Sequence, residues 1–364
     1  MRGGRTLRDS DWTIWSIALF LSAVGVMQIY SATRGSIWRG AWSKQAFSIL
    51  LGILLAYLIS RVDYHTLLGQ VPLLYGTTIV LLLITYLAGP QIFGSRRWIP
   101  LPGGFSFQIS EFAKLVIILL VARYLSAIRN DRVDRGQLLK LCGLVAVPMA
   151  LVMKQPDLGT SLTFVPILMA GIVLLGLRWQ HWLAVAVVGL VLIPVVWNYY
   201  LLDYQKRRLS TFVDPGQDPR GKGYQLIQSK IAVGSGGAWG KGVAMGSQTQ
   251  LRFLPAPHTD FIMAAFAEEH GFAGVIVLLG LYMLLILQVT QNARFSSDKA
   301  GMFICMGAAM MLLFHVLVNA GMVIGRMPVT GIPMPLMSYG GCSVLTTFMT
   351  LGLVNNVRLR RYVN

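Results

Sequence analysis

Charge is what this sequence lacks. Only 12% of its 364 residues are Asp, Glu, Lys or Arg, whereas a water-facing surface needs about a quarter. A chain this long could not coat itself if folded as soluble domains, and the same figures exclude disordered and collagen-like chains. Acidic residues are the scarcer of the two signs: 14 Asp and Glu stand against 31 Lys and Arg, for a formal charge of +17. In so apolar a chain that excess points to anionic lipid, loop orientation or a phosphate-bearing substrate before nucleic acid. Cysteine is nearly absent. Cys142, Cys305 and Cys342 lie in or beside apolar stretches without CxxC spacing, which supports neither a disulfide framework nor a zinc site. The histidines (His65, His181, His258, His270 and His315) are scattered without metal-ligand spacing, so structural roles are expected for them. A divalent cation held between Asp260 and a substrate phosphate is the one metal reading left open.

Apolar residues are abundant, at 55% of the chain, with a mean hydropathy of +0.62. A spanning helix takes about 20 largely apolar residues, and runs of that kind fall at 12–31, 45–60, 71–88, 109–128, 138–153, 160–177, 181–200, 260–291, 300–323 and 339–357. The fold class they predict is an all-α integral membrane protein. Its bundle has about ten transmembrane helices and a long extracytoplasmic loop between the seventh and the eighth. Residues 1–364 read as a single polytopic membrane domain, with the loop 201–259 as a subregion. The first run has no A-x-A cleavage signal and is expected to be a retained anchor. The eighth run is too long for one simple crossing and carries Glu268, Glu269, His270 and Gly271, so a tilt or a break is expected there. Lys and Arg concentrate in the loops of one side, among them Arg61, Arg123, Arg129, Arg132 and Arg294. By the positive-inside rule that side is cytoplasmic, and an even number of spans leaves both termini there.

The loop 201–259 is longer than loops without a function usually are, and its excess of Lys and Arg over Asp makes the outer surface basic. Its glycine run, 234–246, satisfies neither nucleotide-binding pattern. In a Walker A reading Lys241 is followed by Gly242, and in a GxGxxG reading Trp239 and Met245 occupy glycine positions. The glycines are expected to let the chain turn tightly at the membrane surface.

Ionisable groups within spans are costly and default to functional candidates. Glu111 and Lys114 share one face of the fourth run, either as a brace between helices or as substrate contacts. Asp157 precedes the sixth run and suits an N-terminal cap as well as a site. Asp260 stands where the basic loop re-enters the membrane. It suits a cap too, and it is also placed to take a proton from a hydroxyl.

Taken together, the motifs resemble the SEDS family of peptidoglycan glycosyltransferases. The matching pieces are Arg97-Trp98, Ser110-Glu111-Phe112-Ala113-Lys114-Leu115, Gln155-Pro156-Asp157-Leu158-Gly159-Thr160, the stretch 224–232 (YQLIQSKIA), His258-Thr259-Asp260-Phe261-Ile262 and the stretch 333–341 (PMPLMSYGG). They run in family order across nearly the whole chain. Pro328-Val329-Thr330-Gly331-Ile332-Pro333 and Gln228-Ser229-Lys230 have the form of the elongation branch rather than the division branch. Two positions depart from the pattern: Ile109 stands where proline is usual, and Ala256 replaces the glutamate of a Leu-Pro-Glu motif.

The resemblance implies polymerisation of lipid II into β-1,4-linked glycan, with inversion and loss of undecaprenyl pyrophosphate. It implies Asp260 as the catalytic base, and Lys114, Lys154, Arg208, Arg97, Glu111, Asp157 and Trp98 as substrate-binding residues. No cofactor beyond the divalent cation already mentioned is implied. The implied partners are a class B penicillin-binding protein and the elongation proteins MreC, MreD and MreB in a bacterial cytoplasmic membrane, with no nucleic acid. Gly321 and Gly325 form a GxxxG step, which suits either the approach of a partner helix or close packing within the chain. A lipid II flippase, a recruiting scaffold and the division paralogue are the alternatives.

Overall fold

The computed structural model describes residues 10–91, 95–101, 105–128, 134–176, 206, 212, 214 and 221–361. The predicted run 181–200 and the candidate Arg208 lie outside the described residues. The other nine runs are all helical. In order they are α1 (Trp12–Thr33), α2 (Ala41–Arg61), a short α3 (Tyr64–Gly69), and α4 (Val71–Ala88). A small hairpin of β1 (Ile99–Leu101) and β2 (Phe105–Phe107) follows, pairing antiparallel with Pro100 opposite Ser106. Next come α5 (Ile109–Ser126), α6 (Arg135–Lys154) and α7 (Leu158–Leu174), then α8 (Lys222–Ser235) and the single turn α9 (Ser247–Gln250). The chain closes with α10 (Ile262–Arg294), α11 (Lys299–Val323) and α12 (Gly341–Leu359). Among the described residues six helices are long and apolar enough to cross a membrane: α1, α2, α4, α6, α10 and α11.

Aspartate starts many of these helices, because its carboxylate answers N–H groups that the first turn leaves unpaired. Asp11 accepts from Ile14 N, Asp157 from Thr160 N and Asp298 from Gly301 N at the heads of α1, α7 and α11. Asp134 and Gln137 close a reciprocal capping box on α6.

Alternation of the spans gathers their ends on two faces. One face holds the start of α1 and the ends of α2 and α12. There Asp11 is buried and accepts from Arg358 at 2.8 Å, from Asn292 at 2.8 Å and from Gln288 at 3.0 Å. The other face collects the α1–α2 turn, the hairpin, the 247–261 segment and the 325–340 segment.

The expected break in α10 falls at Gly271, whose φ of 65° and ψ of −168° are not helical. Residues 237–242 wrap around it and take up the groups that the break frees. Lys241 N and Gly242 N donate to the carbonyls of Glu268 and Glu269, each at 3.0 Å, while Phe272 N and Ala273 N donate to Gly237 O and Ala238 O. Backbone must approach backbone for this. A Cβ on Gly271 would stand 2.3 Å from Gly240 N, and one on Gly240 would stand 2.2 Å from Glu269 O. The glycine run turns tightly as expected, with positive φ at Gly237, Gly240 and Gly242, and in doing so it splints the broken helix.

Of the two uses open to Gly321 and Gly325, the structure shows packing within the chain. A Cβ on Gly321 would meet Met327 Cγ at 2.9 Å, and one on Gly325 would meet Lys230 Cε at 2.1 Å. Both glycines are used within the chain.

Gly271→Ala should destabilise the detergent-solubilised protein by at least about 1–3 kcal/mol, the cost of forcing a side chain into that backbone region. Gly280→Ala on the same helix, where an added Cβ meets nothing within 4 Å, should be neutral or stabilising by a few tenths of a kcal/mol. Thermal unfolding of the two variants side by side checks both.

A cationic, aromatic cavity and the carboxylates behind it

The second face opens into a cavity of about 790 Å³. Four separate stretches build its wall: the turn after α1 and the start of α2 (Arg34, Trp38, Lys44), the hairpin (Trp98, Ser106), the segment from Thr249 to Thr259, and Tyr339 to Gly341. Its charged lining is basic, from Arg34, Lys44 and Arg252, and no carboxylate borders it among the described residues. Ala256 is one of the lining residues, so the missing glutamate of the motif is what keeps this wall free of negative charge.

Trp38, His258 and Tyr339 cluster on one side, with ring centroids 5.4 Å apart for Trp38–His258 and 5.8 Å for His258–Tyr339. The Tyr339 N–H donates to His258 O at 2.8 Å and ties the two segments together. Burial holds the His258 imidazole below its ordinary pKa, so at neutral pH the ring is uncharged and adds no repulsion to the cations beside it.

Behind the hairpin, Asp157 is the hub of a buried polar group. It caps α7, and its carboxylate also accepts from Gln108 Nε2 at 2.7 Å, Thr160 Oγ1 at 3.0 Å and Ser110 Oγ at 3.2 Å. Arg97 pairs with it at 3.5 Å, and the same guanidinium lies 5.6 Å from the Trp98 ring centroid. Asp157 is thus both a cap and the partner of Arg97, which lies beside Trp98 of the cavity wall. One turn further along α5, Lys114 donates to Glu111 at 2.9 Å, with both side chains buried. Lys114 Nζ also lies 3.5 Å from His315 Nε2 on α11.

Asp260 stands two residues before α10. Its carbonyl accepts from Asn319 Nδ2 at 3.0 Å, and the same amide donates to Ile332 O at 2.8 Å. Ser338 Oγ donates to Thr259 O at 2.8 Å. These bonds fix the backbone that carries the carboxylate between α11 and the 330–338 segment. The carboxylate faces Gly331, 3.6 Å from where a Cβ would be, while the neighbouring Thr259 and His258 line the cavity.

The predicted residues therefore fall in three linked groups. Arg97, Trp98 and Asp157 meet directly, Glu111 and Lys114 form a pair, and Asp260 connects to that pair through α11, which carries both Asn319 and His315. Lys154 ends α6 as an exposed side chain apart from these groups. Sequence reading gave no site role to Trp38, Lys44, Arg252, Asn319 or His315. The last two carried a signal, being polar residues four apart in an otherwise apolar run. Among the described residues no group of three or more His, Cys, Asp or Glu side chains could hold a metal ion.

A large bundle of membrane helices with a basic polar mouth defines the class: a multi-pass integral membrane protein. The family model for cell cycle proteins of the FtsW, RodA and SpoVE type matches residues 11–362, and the chain belongs to that family. It is 37% identical over 360 residues to the peptidoglycan glycosyltransferase MrdB of Escherichia coli strain K12, covering 96% of this chain and 94% of that one. It is 33% identical to the peptidoglycan glycosyltransferase RodA of Treponema pallidum, covering 98% and 99%. Among solved structures, one of a peptidoglycan synthase complex that coordinates polymerization and crosslinking matches with a TM-score of 0.82 at 34% identity, over 98% of this chain and 99% of that one. The rod shape determining protein RodA of Thermus thermophilus matches with a TM-score of 0.72 at 29% identity, covering 98% of both chains.

Two outcomes follow from this geometry. Lys114→Met alone should cost about 3–5 kcal/mol by stranding a buried carboxylate, whereas Glu111→Gln with Lys114→Met should cost far less; denaturation of the three proteins in one detergent checks the difference. His258 is favoured uncharged in the fold, so its contribution to stability is complete above the ordinary histidine pKa and is lost as pH falls through it. The melting temperature should drop from about pH 7 to about pH 5, and His258→Gln should flatten that drop.

Proposed function

We propose that this chain is a peptidoglycan glycosyltransferase that polymerises lipid II into β-1,4-linked strands during cell elongation. The observation that carries the reading is a cavity whose charged lining is wholly cationic, one residue away from Asp260. Inverting displacement at an anomeric carbon needs a base for the incoming hydroxyl and help for the leaving group. Where an alkoxide leaves, as in glycosidases, a second carboxyl group must protonate it. Undecaprenyl pyrophosphate already leaves well, so a single base and preorganised positive charge suffice.

In this reading Arg34, Lys44 and Arg252 face the pyrophosphate. Arg97, held by Asp157, adds charge at the rim, and Trp98 offers a sugar-sized aromatic face. Asp260 takes the proton of the attacking 4-hydroxyl. Lys114 and Glu111 lie deeper and fix α5 against α11, within reach of a diphosphate that enters the bundle. Lys154 and Arg208 are the outer cations that draw the substrate in.

The face bearing Asp11 and Arg358 is cytoplasmic in this account, with both termini on that side of the bacterial inner membrane. The cavity opens on the extracytoplasmic side, and the whole chain acts as one membrane domain with 201–259 as its long outer loop. The partner assigned by this reading is a class B penicillin-binding protein, which crosslinks what the cavity polymerises. The likeness to a complex that joins polymerization to crosslinking supports it. MreC, MreD and MreB complete the elongation machinery.

Asp260→Asn keeps the size of the side chain but cannot accept the proton. Loss of a general base costs about 10²–10⁴ in rate, so lipid II polymerisation by the purified variant should fall to near background while its melting temperature stays close to wild type. Wild-type polymerisation by the variant would remove Asp260 from the chemistry. Lipid II translocation in liposomes without polymer would replace the reading with a flippase.

A further inference from the structure

Glu268 and Glu269 are buried, and the mechanism above uses neither. They occupy the last turn of α10 before the break at Gly271, so their side chains leave the helix in different directions. Glu268 reaches the segment on the loop side. Its Oε1 accepts from Gln248 N at 2.8 Å and Lys241 Nζ at 2.9 Å, and its Oε2 from Thr249 Oγ1 at 2.9 Å and Thr249 N at 3.1 Å. Glu269 reaches α1 instead, accepting from Ser31 Oγ and from Gln28 Nε2 at 3.3 Å. The two segments so held are adjoining parts of the cavity wall: Thr249, Gln250 and Arg252 belong to one, and Ala32, Arg34 and Ser36 to the other. They also bond to each other. Gln250 Nε2 donates to Ser31 O at 3.1 Å, and Arg252 donates to Gly35 O.

We infer that Glu268 and Glu269 form a positioning strut, which sets how the adjoining Arg252 and Arg34 are presented to the cavity and so the tightness with which a lipid-linked diphosphate is held. The inference rests on the proposed glycosyltransferase reading for the identity of the substrate. Its physical basis is the rigidity of the arrangement. Each carboxylate is fixed by a helix terminus whose freed carbonyls are themselves bonded to the loop, and backbone N–H groups, not only side chains, receive Glu268. A buried carboxylate with this many donors does not rearrange cheaply. Neither glutamate touches the reacting atoms, so the strut acts through these two parts of the wall. Gly246 provides a second handle. Its φ of −67° suits any residue, yet a Cβ there would stand 2.6 Å from Glu268 Oε2.

Steady-state polymerisation of lipid II in detergent tests the strut with Glu268→Gln, Glu269→Gln and Gly246→Ala. Glu268→Gln sets an amide NH₂ against the donors on Thr249, and Gly246→Ala pushes the carboxylate off its partners without removing it. Displacements of this size cost on the order of 10-fold to 10²-fold in productive binding. The expected result is a KM for lipid II raised at least about 10-fold, with kcat within about 3-fold of wild type, and the same pattern from Gly246→Ala as from Glu268→Gln. Unchanged KM in both variants overturns the inference. So does a fall in kcat alone that tracks the fraction of folded protein by melting temperature, which is the mark of a merely structural role. Binding of fluorescent lipid II to wild type and Glu268→Gln, measured without turnover, separates this from the function itself. Equal affinities refute the strut whatever the enzyme does. Weakened binding with no polymer from wild type would support the strut and refute the glycosyltransferase reading.

Discussion

A carboxylate taken out of water costs several kcal/mol unless donors meet it, and this chain buries all three of its glutamates. Each is answered from another part of the chain or from the next helical turn: Glu111 by Lys114, Glu268 by Lys241 and the 247–249 backbone, Glu269 by Ser31 and Gln28. The partners lie on different elements in two of the three cases, so satisfying these charges fixes where loop and helix meet. The break at Gly271 belongs to the same constraint. It frees backbone groups in the apolar bundle, and unpaired groups there are not tolerated, so the glycine run must come close enough to bond them.

The consequence for chemistry is a division of charge. Acidic groups are few, and several of the described ones serve as caps or buried acceptors met by cations or N–H groups. The charged residues that line the cavity are the basic Arg34, Lys44 and Arg252. Ala256 contributes by what it is not, since a glutamate there would place an acidic group in the lining. An apolar helix bundle below and a basic, aromatic cavity above match the two halves of a lipid-linked diphosphate sugar. Asp260 sits beside that cavity on a backbone pinned by Asn319 and Ser338, which limits how far its carboxylate can drift.

The fold was largely legible in the sequence. Nine of the ten apolar runs coincide with helices to within a few residues, because length and hydropathy alone decide what spans a bilayer, and the break in the eighth run was signalled by charge followed by glycine. The short pieces were not legible. Helix α3, the β1–β2 hairpin and α9 are too brief to carry a period, and α8 is amphipathic without being apolar enough to stand out. Of the candidate site, Asp157, Arg97, Trp98, Glu111, Lys114 and Asp260 were proposed from motifs, and Trp98 is the one among them that lines the cavity. The cavity itself could not be found that way, since its wall comes from four stretches far apart in the chain. The glycine run shows the limit best. Its failure to match a phosphate loop was readable, whereas its real partner, a helix terminus about 30 residues away, became evident only through contacts such as Gly242 N to Glu269 O.

The central claim is that this chain itself transfers glycosyl groups with inversion at the cavity, without a second polypeptide. The most direct measurement gives the purified chain lipid II alone in detergent and then digests the product with a muramidase specific for β-1,4 linkages. The account predicts uncrosslinked strands that the muramidase cleaves completely to disaccharide-peptide, with one undecaprenyl pyrophosphate released for each linkage formed. A product resistant to that muramidase, or no release of the pyrophosphate, would contradict it.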